Sequence, residues 1–92
     1  MKMHLSHILV ENKFEAEDLE RKLQAGLAFE TLAQRFSKCP SAAHGGDLGN
    51  IELGRLDADF AEAAEGLAPG ATSGPVRTRF GYHLIRRGKD NV

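Results

Sequence analysis

The sequence predicts an α+β fold: a four-stranded antiparallel sheet with its first and last strands central, surrounded by helices. Three observations predict it. Stretches with strand-like alternation and apolar residues on both faces lie near the two ends of the chain, at 3–10 and 82–88. Between them, three segments repeat apolar residues at helical spacing. Two shorter strand-like pieces, one carrying a proline, supply the sheet's edges. The predicted order is β-α-α-β-α-β-β.

Each element has its own signal. In Met3 to Val10, His4, Ser6, Ile8 and Val10 face one way and Met3, Leu5, His7 and Leu9 the other. Apolar residues on both faces mark a strand covered on both sides. Asn12 followed by Glu15 resembles a capping box and opens a helix of about 13–25. Ala16, Leu19 and Leu23 form its stripe, and Gly26 ends it. A second helix, about 28–36, sets Phe29, Leu32, Ala33 and Phe36 on one face. From Ser37 to Gly54 the helical period disappears among Pro40, Gly45, Gly46, Gly49 and Gly54, and Asp47 to Ile51 reads as a short edge strand anchored by Leu48 and Ile51. A third helix, about 58–66, carries Phe60, Ala63, Ala64 and Leu67. Pro69-Gly70 is a turn, and Ser73 to Val76 a second edge strand holding Pro75. Thr78 to Gly81 makes a tight connection into the last strand, where His83 and Ile85 share a face.

Length and charge narrow the function. Ninety-two residues allow one domain, here spanning 1–92, and exclude doubly wound nucleotide-binding folds and (β/α)₈ barrels. Twelve basic residues face thirteen acidic ones, so neither nucleic acid nor an anionic membrane surface is the expected partner. The single cysteine, Cys39, excludes an internal disulfide. No apolar run of signal-peptide or membrane-spanning length follows Met1, and a cytoplasmic location is expected. His7, Cys39, His44 and His83 include no pair at zinc-motif spacing, so no metal is expected. Gly45 to Gly49 lacks the following lysine and the strand-loop-helix context of a phosphate cradle.

The motifs resemble a known family. Ser6-His7-Ile8-Leu9-Val10 is followed by Phe36-Ser37-Lys38-Cys39-Pro40-Ser41 and Gly45-Gly46-Asp47-Leu48-Gly49. Gly74-Pro75-Val76, Thr78 and Phe80-Gly81-Tyr82-His83-Leu84-Ile85 close the chain. In this order the set resembles small single-domain PpiC-like, parvulin-type peptidyl-prolyl cis-trans isomerases, whose sheet topology agrees with the reading above. The resemblance implies cofactor-free rotation about X–Pro bonds in unfolded or flexible segments, assisting protein folding, by a chain expected to be a monomer. A non-catalytic peptide-binding module of the same fold is the alternative.

The resemblance also carries site roles onto single positions. His7 and His83 match the family's histidine pair, Thr78 the threonine supporting it, and Cys39 the Cys-or-Asp position of the active-site loop. Leu48, Leu56 and Phe60 match the apolar floor for the proline ring, and Phe80 the pocket rim. Leu56 stands where relatives often have Met, and Ala58-Asp59 where they often have Pro, differences expected to alter substrate preference rather than abolish activity. Because isomerisation moves no proton, the histidines are expected to support the site rather than act as general bases. Cys39 is expected to tune the field on the carbonyl as thiol or thiolate. The link Glu11-Asn12-Lys13 holds one base, so phosphate-directed specificity is not expected, whereas Arg77 and Arg79 lie where they could favour an acidic residue before proline.

Overall fold

The computed structural model describes residues 2–89; residues 1 and 90–92 of the single-domain reading lie outside them. The elements are β1 (Lys2–Val10), α1 (Lys13–Gln24), α2 (Phe29–Phe36), β2 (Asp47–Glu52), α3 (Ala58–Glu65), β3 (Val76–Thr78) and β4 (Gly81–Arg87). Short 3-10 turns, Pro40–His44 and Leu53–Arg55, flank β2. The sheet runs β2-β1-β4-β3, antiparallel throughout, so the first and last strands are central as expected. No helix among the described residues is long and apolar enough to cross a membrane.

The period-two pattern of β1 sorts its side chains between two cores. Ile8 and Val10, with Leu84 of β4, pack under α1 and α2 through Ala16, Leu19, Phe29, Leu32 and Ala33. Met3 and Leu5, with Ile85, pack under α3 through Phe60 and Ala64, joined by Leu53. Each fully buried Leu or Ile contributes roughly 1.5–3 kcal/mol. The candidate residues His7 and His83 belong to the α3 face.

Three local expectations are corrected. Asn12 and Glu15 bond each other, Asn12 Nδ2 donating to Glu15 Oε1 at 2.9 Å, and no side chain caps the backbone of α1. The second edge strand lies at Val76–Thr78, beyond the expected Ser73–Val76. Pro75 has no N–H to give to a ladder, and the segment before it tracks β4 by other means. Ser73 N donates to Ile85 O at 2.8 Å, Ile85 N donates to Ser73 Oγ at 3.0 Å, and Thr72 makes an isolated bridge to Arg86. Phe36 is not fully covered: its ring lies under the Lys22 ammonium, 5.1 Å from the centroid.

The β1–β2 register skips Leu48, with Leu5 opposite Gly49 and Ser6 opposite Asp47. Gly49 takes a left-handed φ of 72° at this bulge. In an unbroken strand Leu48 and Ile51, three residues apart, would face opposite ways. The bulge lets both pack against the α3-side core.

Candidate active site

Between the sheet and the start of α3 lies a cavity of about 380 Å³, within the roughly 300–1,000 Å³ of small-molecule clefts. Seven of the eight expected site residues line it: His7, Cys39, Leu48, Leu56, Phe60, Phe80 and His83. The eighth, Thr78, is buried and bonds to His83. Leu9, Lys38, Pro40, Ile51 and Asp57 complete the lining. Sequence reading did not assign these five to the site. For Ile51 a signal existed, because it was visible as an apolar anchor.

The central strands bring the two histidines together. His7 pairs with Ile85 and Leu9 with His83, so the rings are diagonal neighbours on one face. Their Nδ1 atoms are 2.9 Å apart, in planes 17° from parallel. Thr78 Oγ1 lies 2.7 Å from His83 Nε2 and accepts the Phe80 N–H at 3.2 Å. A hydroxyl that accepts from Phe80 can also either donate to His83 Nε2 or accept from it. In both arrangements one proton lies between the two Nδ1 atoms, and the chain of bonds ends at His7 Nε2. Nε2 is buried and has no hydrogen-bond partner among the described residues.

Only one proton fits between the two Nδ1 atoms, so the bond excludes protonation of both at once. The environment enforces neutrality. Burial, then the neighbouring His83, push His7 down from 6.5 to about 4. Burial also lowers His83, partly opposed by the Asp57 carboxylate. Phe60 stands edge-on to both rings, its centroid 5.5 Å from His7 and 5.1 Å from His83. One phenyl group therefore forms pocket wall and packs the pair.

The loop after α2 positions Cys39. Ser37 Oγ accepts from Leu9 N at 3.0 Å and from Cys39 N at 3.4 Å, and Lys38 N donates to Leu9 O at 2.7 Å. These bonds tie the loop to the end of β1 and set the half-buried, free Cys39 against the cavity. Gly46 anchors the loop's far end: its carbonyl accepts from His7 N at 2.9 Å, and at φ 84° it lies so close that a Cβ would collide with the His7 carbonyl. Opposite, Asp57 Oδ1 caps α3 by accepting from Asp59 N at 3.1 Å. Its Oδ2 is 3.7 Å from Arg79 Nε, and the Arg79 guanidinium lies 4.9 Å from the Phe80 ring centroid. Among the described residues no group of three or more His, Cys, Asp and Glu is arranged to hold a metal ion.

Residues 7–89 match the family described as "Rotamase: PPIC-type PPIASE domain". The chain belongs to the PpiC-type rotamase family. It is 46% identical over 87 residues to "Foldase protein PrsA" of Bacillus subtilis (strain 168), covering 94% of this chain and 30% of that protein. A crystal structure of PrsA from Bacillus subtilis superposes with TM-score 0.94 at 43% identity, covering 99% of this chain and 36% of that one. The solution structure of NmPin, the parvulin of Nitrosopumilus maritimus, matches with TM-score 0.85 at 39% identity and 95% coverage of both chains. The chain thus spans about a third of the PrsA proteins it matches and nearly all of the small parvulin. In this member of the family the paired histidines and the cysteine loop meet at one apolar cavity.

Proposed function

We propose that this chain is a cofactor-free peptidyl-prolyl cis-trans isomerase. It accelerates rotation about X–Pro bonds in unfolded or flexible polypeptide segments and so assists folding. The observation that carries the reading is the apolar cavity closed on one side by a neutral, hydrogen-bonded histidine pair.

The reaction breaks no covalent bond. Its barrier, about 18–20 kcal/mol, reflects the partial double bond between carbonyl carbon and nitrogen. Every 1.4 kcal/mol or so by which the site favours the twisted amide is tenfold in rate. Leu48, Leu56 and Phe60 grip the pyrrolidine ring, with Ile51 and Phe80 extending the apolar wall, and so fix one side of the bond. Holding the ring there removes water from the amide, and with it the hydrogen bonds that favour the planar form. The histidines give the floor a fixed shape without introducing charge. Cys39 stands on the side where the rotating carbonyl sweeps, with Lys38 beside it, supplying thiol polarity and positive field.

The substrate class is X–Pro segments without phosphate direction, because the link between β1 and α1, Glu11-Asn12, carries no base and Lys13 alone opens the helix after it. The chain acts as a monomer in this reading, and neither nucleic acid nor membrane is a partner. Refolding of a protein whose slow phase is limited by a prolyl bond tests the folding role. A substoichiometric amount of this chain is expected to shorten that phase, which otherwise lasts tens to hundreds of seconds. A slow phase unchanged by the chain would contradict it.

A further inference from the structure

A second concavity, about 850 Å³ and wide open, lies between α3 and β3. All three residues of β3 line it. Its apolar floor is Ala63 and Leu67 beside Val76, the outer side of the α3-face core. Carboxylates of Asp59 and Glu62 stand on the helix wall, and guanidiniums of Arg77 and Arg79 on the strand wall. β3 pairs with β4 alone among the described residues, which leaves its other edge without a strand.

This concavity adjoins the proline cavity. Thr78, which lines it, holds His83 of the cavity by the 2.7 Å hydrogen bond. Arg79 of the groove approaches Asp57 of the cavity wall and stacks on Phe80 of its rim. A polypeptide with its proline seated beside Phe60 therefore leaves the cavity next to the end of β3. An extended chain there meets unpaired main-chain groups of an edge strand and an apolar floor, and adding a strand satisfies both.

We propose that the α3–β3 groove is a second substrate subsite, which binds the client segment on one side of the proline as an added strand beside β3. Small apolar residues of the client cover Ala63, Leu67 and Val76, and its polar residues meet the charged walls. The inference rests on the isomerase reading for the occupant's identity, and the groove gives the site a preference for long extended clients over short peptides.

The test compares a four-residue X–Pro peptide with ten-residue peptides extended either before or after the proline, using exchange spectroscopy for turnover and backbone amide shifts for binding. Extension on one side is expected to lower KM roughly tenfold, the size of two added main-chain hydrogen bonds after the cost of ordering. That same extension is expected to shift the amides of residues 62–67 and 76–79. Ala63→Lys, which fills the floor, is expected to remove the gain while leaving turnover of the four-residue peptide unchanged. The wild-type shift map reads the groove independently should that variant fold poorly. Equal KM for short and long peptides, or extension-dependent shifts confined elsewhere, would overturn the subsite. Groove shifts from a long peptide with no turnover of any peptide would instead uphold the subsite and refute the isomerase.

Discussion

At the scale of single residues, the histidine pair sets the pH behaviour. The folded His7 holds its proton only below about pH 4, whereas its ordinary value is 6.5. Between those values the unfolded chain binds a proton that the folded chain does not, so stability rises with pH through that window and is complete above it. The gap corresponds to about 3 kcal/mol, lost as pH falls from near 6.5 to 4. His83 moves in the same direction. Urea unfolding at successive pH values is expected to show this loss, and His7→Leu to flatten it. Turnover is expected to stay level from about pH 7 to 8, because both imidazoles are shifted below their ordinary 6.5; a rise centred near 6.5 or above would mean that a histidine changes charge in the working site. Thr78 gives a second residue-scale test. Thr78→Val leaves the Phe80 N–H and His83 Nε2 without their partner, at a cost of about 1–3 kcal/mol. Thr78→Ser keeps the hydroxyl and is expected to restore both stability and activity. Phe60, only 4% exposed, serves core and pocket together. Phe60→Ala is expected to cost about 3–5 kcal/mol, and the milder Phe60→Leu to raise KM for proline peptides while the fold persists. The histidines, Cys39 and Thr78 were legible as family motifs because each is a distinctive residue at a set place in the chain order. Asp57 and Lys38 were not, because a charged residue at a helix start or in a loop reads as solvated surface until the fold turns it toward a cavity.

At the scale of elements, periodicity carried the reading wherever burial follows one face. β1, α2 and β4 show this: a residue spacing of two or 3.6 maps directly onto a covered side. It failed where tertiary bonds replaced local ones. Ser73 and Pro75 have strand-like neighbours, yet the ladder begins at Val76, because Ser73 reaches β4 through its hydroxyl as well as its main chain. Asn12 and Glu15 have capping-box spacing, but Asn presents an amide that bonds the Glu carboxylate directly. The bulge at Leu48 left no mark except Gly49, one glycine among several in that stretch. Gly46 has the sharpest consequence of these glycines. Its positive φ and its contact with the His7 carbonyl both forbid a side chain. Gly46→Ala is expected to destabilise the fold by more than about 1 kcal/mol and to move the midpoint of thermal unfolding down by at least about 4 °C. Because Gly46 fixes the loop against His7, activity is expected to fall further than the loss of folded protein explains. A midpoint within 1 °C or so of wild type would show that the loop relaxes freely.

At the scale of the whole molecule, one sheet separates two cores of different duty. The α1–α2 face is built from apolar side chains. The α3 face admits a histidine pair and opens into the cavity, so stability and chemistry share Phe60 and the strand pair β1–β4. That topology was legible because the two longest strands stand near opposite ends of a short chain, and pairing them closes both cores at once. The charge balance, which spoke against nucleic acid, gave no hint of how the α3–β3 groove divides its charges between its walls. The central claim is that this cavity accelerates rotation about an X–Pro bond. Exchange spectroscopy on a four-residue X–Pro peptide measures that rotation directly, with the protein present at a small fraction of the peptide concentration. The account expects cis and trans resonances to exchange far faster than the uncatalysed tens to hundreds of seconds, with the acceleration reduced in Phe60→Leu. Peptide binding detected by amide shifts, with the exchange rate unchanged from that of free peptide, would contradict it and leave a peptide-holding module in place of an isomerase.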